Sequence, residues 1–189
     1  MPTHDPDHVI ATTRAWIERA VIGLNLCPFA KPVFVNDLVR YAVSTAGTED
    51  ELLRDLRFEL EHLAATPPGD VETTLLIHPR AFADFFEFND FLSAADALVE
   101  ALGYTGVLQI ASFHPRYQFA GCAADDVTNA TNRSPYPTLH LLREDSIERA
   151  LTNFPSPDAI YRNNLVTLTK LGVDGWNRLR AQFTNDAAG

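Results

Sequence analysis

Apolar residues recur with two different periods along the chain, and these periods predict helices and strands in turn. Helical spacing begins after Asp5, the predicted N-cap, and Pro6, which suits a first helical turn. The apolar face of this first helix comprises Val9, Ile10, Trp16, Ile17, Ala20, Val21 and Leu24. Pro28 and Pro32 forbid a simple continuation, so residues 26–34 are predicted to form an irregular connection.

A strand and a second helix are predicted in the next part of the chain. Residues 39–44 alternate between apolar and polar or small side chains, which is the period of a half-buried strand. Thr48 and Glu51 then form a capping box that predicts the start of a helix. The buried face of this helix is predicted to be Leu52, Leu53, Leu56, Leu60 and Leu63. Residues 67–69 end it, and residues 71–77 predict a second strand.

A phenylalanine-rich segment predicts the third helix. Its apolar residues follow the i, i+3, i+4 pattern, and Gly103 supplies a stop. They are Phe82, Phe85, Phe86, Phe91, Leu92, Ala95, Leu98, Val99 and Leu102. We interpret this stripe as a core face and not as a cofactor site. Residues 107–113 are apolar on both faces, which predicts a central strand covered by helices above and below.

Residues 114–137 show no convincing period, and a stretch this long without elements is usually functional or flexible. Residues 138–142 predict a fourth strand. A short helix is predicted from about Asp145, another with Ser156 as N-cap, and a last one near Trp176.

The order of these elements predicts an α/β fold with a small mixed four-stranded sheet flanked by helices. Right-handed crossovers would join three parallel strands, and the fourth strand would pair antiparallel after the long loop. A ferredoxin-like α+β sandwich is the alternative, because it also builds four strands from two βα crossings. We find no linker or internal repeat, so residues 1–189 are predicted to form a single α/β domain.

Charge and composition narrow the range of partners. The net charge of −10 would repel a phosphate backbone, so no nucleic-acid partner is expected. No apolar stretch reaches the roughly 20 residues that span a bilayer, and the N-terminus lacks the features of a signal peptide. Because Cys27 and Cys122 are the only cysteines, a disulfide scaffold is excluded. We therefore predict a cytoplasmic protein with no membrane partner.

The tripeptide His-Pro-Arg occurs twice, at residues 78–80 and 114–116, just after the second and third predicted strands. Parallel strands would bring both tripeptides to the carboxyl edge of the sheet, where open α/β folds bind ligands. Chance repetition of an ordinary His-Pro strand terminator is the alternative interpretation. The candidate side chains of this pattern are His78, Arg80, His114 and Arg116.

The long loop supplies donors that suit an anion. Arg116 and Arg133 could grip a carboxylate or phosphate as a fork, with Asn132, Ser134 and backbone N–H groups completing the site. His114 is the candidate general acid/base, because its near-neutral pKa fits proton transfer. The expectation is an enzyme that acts on a small anionic metabolite by hydrolysis or group transfer.

Other interpretations of these residues stay open. The two arginines could instead pair with Asp125 and Asp126 and pin the loop. A non-catalytic small-molecule-binding protein could use the same pocket without chemistry. His140, inside the fourth strand, is predicted to be a satisfied histidine of the sheet.

Cys27 raises the possibility of thiol-dependent redox chemistry. Ala30 stands where the resolving cysteine of a C-x-x-C motif would be, so such chemistry would need Cys122 or an external thiol. A preceding helix C-terminus would disfavour the thiolate, and a free cysteine usually behaves as a buried small hydrophobe. A redox protein that uses Cys27 is therefore a further alternative. No familiar zinc spacing is present, so we predict no metal site, and the sequence names no cofactor.

Three segments carry a family resemblance: residues 16–30 (WIERAVIGLNLCPFA), 112–119 (SFHPRYQF) and 132–144 (NRSPYPTLHLLRE). They resemble an uncharacterised bacterial family, the one numbered fourteen-fifteen among the domains of unknown function. The resemblance implies a stand-alone cytoplasmic protein of about this length. It brings no established activity, substrate or catalytic residue.

Overall fold

A four-stranded mixed sheet lies at the centre of the computed structural model, which describes residues 5–152 and 156–186. The strands are β1 (Val39–Val43), β2 (Thr73–Ile77), β3 (Leu108–Phe113) and β4 (Thr138–Arg143), in the order β1-β2-β4-β3. β1 and β2 are parallel, and β4 is antiparallel to both β2 and β3. The predicted three parallel strands and one antiparallel strand are confirmed. The parallel β1–β2 pair does not fit the ferredoxin-like alternative, whose sheet is antiparallel.

Six α-helices surround this sheet in the described residues. They are α1 (Pro6–Trp16), α2 (Ala30–Val35), α3 (Glu49–Ala65), α4 (Phe85–Ala101), α5 (Glu144–Leu151) and α6 (Pro157–Asp186). A π-helix (Ile17–Ile22) continues α1, and a 3₁₀-helix (Val127–Asn132) lies in the long loop. None of the described helices is long and apolar enough to cross a membrane.

The helices on the two faces of the sheet make three layers. α3 and α4 cover one face, and the capping box predicted for α3 is present, since Thr48 accepts from the Glu51 N–H at 3.4 Å. The strand residues packed against α3 and α4 are Ala42, Leu76, Leu108, Ile110, Leu139 and Leu141. α1, its π-helical extension and α6 pack on the opposite face, where Leu75 and Ile77 belong to the core.

Two local expectations are wrong. β3 is an edge strand and not a central one, because the chain returns after the long loop and inserts β4 between β2 and β3. The connection over residues 26–34 contains α2, since Pro32 occupies its first turn, where an N–H has no intrahelical partner. The last two predicted helices are both present, as the two parts of α6 on either side of a non-helical residue, Gly172 (φ 70°, ψ 171°).

Candidate functional site

The two His-Pro-Arg turns lie at the same edge of the sheet, as the sequence predicts, where β2 and β3 end on either side of β4. Ile77 and Phe113, the last residues of these strands, both pair with Thr138 of β4. Directly beyond them, the His78 N–H donates to the Pro137 carbonyl oxygen at 3.0 Å. The edge is therefore held together by β4 and the residues that precede it.

His114 is buried in this edge with both ring nitrogens bonded; its relative exposure is 1%. The Arg116 N–H donates to Nδ1 at 3.0 Å, so Nε2 carries the ring proton of the neutral histidine and donates to the Phe82 carbonyl at 3.1 Å. Burial lowers the pKa of His114, and its ring stacks on Phe88. These bonds hold a neutral ring and tie two loops together. A general acid/base role for His114 stays a prediction, and it would require one of these bonds to open.

His78 packs against the same phenylalanine. Its ring centroid lies 5.3 Å from that of Phe88, and its Nδ1 donates to the Ala81 carbonyl oxygen at 3.2 Å. Nε2 is buried and has no partner among the described residues. Burial lowers the pKa of His78 to about 4. The two histidines thus form, with Phe88, a desolvated cluster at the sheet edge.

The arginines of the expected anion fork bind backbone oxygens. Arg133 donates from Nε to the Tyr117 carbonyl at 3.1 Å and from a terminal nitrogen to the Ala124 carbonyl at 2.6 Å. Arg116 donates to the Ala83 carbonyl and lies 3.6 Å from an Asp84 carboxylate oxygen. Each guanidinium therefore fastens a different piece of loop.

The remaining candidates at this edge behave in a similar way. Asn132 donates from Nδ2 to the Ser112 carbonyl at 3.1 Å, and the Ser134 hydroxyl donates to the Tyr136 carbonyl at 2.6 Å. Arg80 is exposed. The contacts agree with the interpretation that the arginines pin the loop, although their partners are not the expected Asp125 and Asp126.

A cavity of about 620 Å³ lies on the sheet face that α1 and α6 cover only in part. We call it the sheet cavity. Its floor is formed by Thr73, Leu75, Ala111, Phe113, His140 and Leu142. Its walls come from Trp16, from the segment 27–34 and from α5. Most of the lining is apolar, and Arg149 stands among the exposed residues at its margin.

His140 and Thr73 are the polar pair on the floor of the sheet cavity. Nε2 of His140 lies 2.7 Å from the Thr73 hydroxyl, which in turn donates to the Leu141 carbonyl at 2.6 Å. Burial lowers the pKa of His140 to about 4, so the ring is neutral at pH 7. The prediction of a satisfied sheet histidine is therefore correct for Nε2, while Nδ1 makes no hydrogen bond within the described residues.

Cys27 lines the same cavity. Burial raises the pKa of its thiol, and the backbone N–H groups of Phe29 and Ala30 offset only part of this effect. Cys122 lies in the long loop, away from the residues that line the cavity, and both cysteines are free. In the part of the chain that the structure describes, no three His, Cys, Asp or Glu side chains are placed to hold a metal ion.

The sequence does not reveal the sheet cavity. The residues of its floor belong to segments with the sequence pattern of ordinary strands. This pattern does not show which strand positions a helix will leave uncovered. The one available signal is the short residue Ala111, which stands between two larger positions on the same sheet face, Gln109 and Phe113.

The fold and the cavity define a three-layer α/β protein with a ligand-sized, mainly apolar pocket on one face of a mixed sheet. The chain belongs to the family described as protein of unknown function, DUF1415, which it matches over residues 8–178. This match confirms the family resemblance of the sequence. Comparisons with curated proteins and with solved structures find no match.

Proposed function

We propose that this protein binds a small, mainly apolar molecule in the sheet cavity. The observation that carries the proposal is the cavity itself, whose volume of about 620 Å³ lies within the range of roughly 300–1,000 Å³ found for ligand sites. Its lining combines a continuous apolar surface with the polar pair of Thr73 and His140. That combination is typical of sites where apolar contact supplies affinity and a few polar groups orient the ligand.

The inner end of the cavity is rigid enough to be a preformed site. Trp16 and Phe113 meet edge to face with ring centroids 5.3 Å apart, and His140 lies 6.1 Å from Phe113. Trp16 is 3% exposed, so this wall is fixed by the core behind it. Protein interiors are otherwise close-packed, and unfilled apolar space of this size forgoes contacts that a ligand could restore.

This proposal belongs to the small-molecule-binding class that the sequence left open as an alternative, but it assumes a ligand on the sheet face and not among the His-Pro-Arg turns. An enzyme for a small anion, built on His114, Arg116 and Arg133, stays a prediction. So does a cytoplasmic location. The exposed side of Arg116 is where an anion would be sought first.

Alkylation of the two cysteines tests the proposal within one molecule. Cys27 lines the cavity and Cys122 does not, so a ligand in the cavity should slow iodoacetamide labelling of Cys27 alone. The panel comprises naphthalene, 2-naphthol, decanol, decanoate, inorganic phosphate and nucleotides. We expect at least one apolar compound to slow labelling of Cys27 several-fold and to raise the melting temperature.

A pair of variants controls for indirect effects. Ala111→Phe fills the floor of the cavity and should abolish the protection, whereas Ala120→Phe places the same ring on an exposed loop position and should leave it intact. If no apolar compound protects Cys27 or raises the melting temperature, the proposal is wrong. A shift caused by phosphate in the wild type and lost in Arg116→Ala would instead support the anion site.

A further inference from the structure

The hydrogen bonds around His140 determine where its ring proton lies. The Thr73 hydroxyl has one proton, and its 2.6 Å contact with the Leu141 carbonyl oxygen uses that proton, since a carbonyl can only accept. The hydroxyl must therefore accept from His140 at Nε2, 2.7 Å away. Nε2 carries the proton, and Nδ1 of the neutral ring is left as a bare acceptor.

Nδ1 of His140 has no hydrogen-bond partner in the described residues, but it is accessible from the cavity. Within residues 5–152 and 156–186, the imidazole ring of His140 has Thr73 as its one hydrogen-bond partner. Nδ1 is not fully buried, so it keeps accessible surface. His140 lines the sheet cavity, and the accessible side of its ring faces that space. In the free protein a water molecule would be the natural donor to this atom.

We infer that the ligand of the sheet cavity is an apolar molecule with a hydroxyl group, and that this hydroxyl donates a hydrogen bond to Nδ1 of His140. The inference rests on the function proposed above and adds the polar chemistry of the ligand. A hydroxyl replaces the bond of the displaced water. An ether or a hydrocarbon of the same shape displaces the water and leaves Nδ1 without a donor.

An anionic head group fits this position poorly. A carboxylate oxygen is an acceptor only, so it would face the lone pair of Nδ1 without a proton to share. The low pKa of His140 means that the ring does not supply that proton near neutral pH. Among the described residues, two arginines line the cavity. Arg149 is exposed and already donates to the Ser146 hydroxyl at 2.9 Å, so it lies in water and adds little attraction. Arg143 already donates from a terminal nitrogen to three backbone carbonyl oxygens, and its Nε is buried, so its guanidinium is turned to the backbone. The ligand class is therefore a neutral alcohol or phenol.

Matched ligands test the inference. Dissociation constants are measured from protection of Cys27 for 2-naphthol, 2-methoxynaphthalene and naphthalene at pH 7. We expect 2-naphthol to bind wild-type protein roughly tenfold or more tightly than its methyl ether, because sites built to bond a hydroxyl reject analogues that lack it. In His140→Phe the ring is kept in shape but has no acceptor, so the preference should fall to about onefold.

Thr73→Val separates the contribution of the Thr73 hydroxyl from that of the His140 ring. It keeps His140 but removes the hydroxyl that fixes the proton on Nε2, so the preference for 2-naphthol should shrink without vanishing. Nitrogen-15 NMR of the ligand-free protein at pH 7 should show His140 as the Nε2–H form in the wild type and a mixture of forms in the variant.

The outcomes separate the two proposals. If all three naphthalenes protect Cys27 equally, the cavity binds ligands and the hydroxyl inference is wrong. An Nδ1–H or charged His140 in the free wild-type protein would overturn the inference whatever the affinities are. If none of the panel protects Cys27, the proposed function fails, and the inference fails with it.

Discussion

His114 donates a hydrogen bond of 3.1 Å from Nε2 to the carbonyl oxygen of Phe82, and this bond joins the end of β3 to the segment that leads into α4. Phe82 has a positive φ of 57°, a conformation that is uncommon for a residue with a side chain. Asp84 then caps α4 by accepting from the N–H of Phe86 at 2.9 Å. The histidine therefore supports a strained turn directly before a helix.

Replacement of His114 by alanine should destabilise the protein strongly. The change removes a ring packed on Phe88 and leaves the Phe82 carbonyl and the Arg116 N–H without their partner, so we expect a loss of about 2–4 kcal/mol in the free energy of unfolding. Urea denaturation followed by circular dichroism measures it. Arg80→Ala, at an exposed position of the other tripeptide, is the control and should change stability by less than about 0.5 kcal/mol. Equal stability of the two variants would contradict a structural role for His114.

The outcome at His114 shows what the sequence could and could not predict. The same tripeptide follows two strands that run in the same direction, and this alone predicts that residues 78–80 and 114–116 lie at one edge of the sheet. Which way each side chain turns depends on backbone oxygens such as those of Phe82 and Ala83, which no side-chain pattern encodes. The imidazole of His114 is buried because it stacks on Phe88, and the sequence pattern does not show which of the many phenylalanines in this segment a histidine will meet.

Arg133 should stabilise the conformation of the long loop. Its guanidinium reaches the carbonyl oxygens of Tyr117 and Ala124, which lie on separate turns of that loop. Arg133→Ala should therefore increase the amide hydrogen exchange of residues 114–126 by at least tenfold, since two hydrogen bonds of about 1 kcal/mol each are lost. Exchange mass spectrometry measures this, and exchange in α3 should not change.

Arg178→Ala is the matched control for this prediction, because it removes the same side chain from an exposed helical position. It should leave exchange in the long loop unchanged. If Arg133→Ala exchanges like the wild type, the two hydrogen bonds of Arg133 do not stabilise the long loop. If phosphate raises the melting temperature of the wild type but not that of Arg133→Ala, the anion interpretation of Arg133 gains support.

Gly23 is required by the π-helix that lines the sheet cavity. A Cβ atom at this position would lie 2.2 Å from the carbonyl oxygen of Arg19, which is backbone and cannot move aside. The Gly23 N–H donates to the Glu18 carbonyl at 3.0 Å, the i to i−5 bond of a π-helix. Gly23→Ala should therefore cost about 1–3 kcal/mol of stability and weaken ligand protection of Cys27, because Ile17 and Val21 would shift.

The control for this change is Gly69→Ala, where a Cβ atom would meet nothing within 4 Å. It should be neutral or stabilise the protein by up to about 1 kcal/mol, because alanine narrows the unfolded ensemble. Thermal and urea unfolding of both variants measure the difference. Gly23→Ala with wild-type stability and wild-type labelling of Cys27 would show that this helix does not depend on the close approach to Arg19.

The sheet cavity also marks the limit of sequence-based prediction. His140 was expected to be satisfied, and the register that places it beside Thr73 comes from β4 pairing with β2, a contact between distant parts of the chain. The strand period gives the face on which a side chain lies, but it does not tell whether a helix covers that side chain. Coverage depends on where α1 and α6 end up, which is a property of the packed fold.

Acid should destabilise the protein well above the pH at which its carboxylates titrate. Burial lowers the pKa values of His78 and His140 from 6.5 to about 4, so between these values the unfolded chain binds protons that the folded chain does not. Stability rises with pH wherever the unfolded state binds more protons, so it is fully present above pH 6.5 and is lost as pH falls towards 4. Each histidine should contribute a slope approaching about 1.4 kcal/mol per pH unit within this window. Urea denaturation at pH 7.5, 6.5, 5.5 and 5.0 measures the slope.

The variant His140→Phe tests whether His140 contributes to this pH dependence of stability. His140→Phe keeps an aromatic ring on the floor of the sheet cavity and removes its protonation, so between pH 6 and 5 the slope should fall by about 1 kcal/mol per pH unit. His78 should account for much of what is left, because it is 0% exposed and its Nε2 would have to be protonated where the described residues offer no acceptor. A wild-type stability that is the same at pH 7.5 and pH 5 would mean that neither ring is held neutral by burial. The proton positions inferred for the cavity would then be wrong as well.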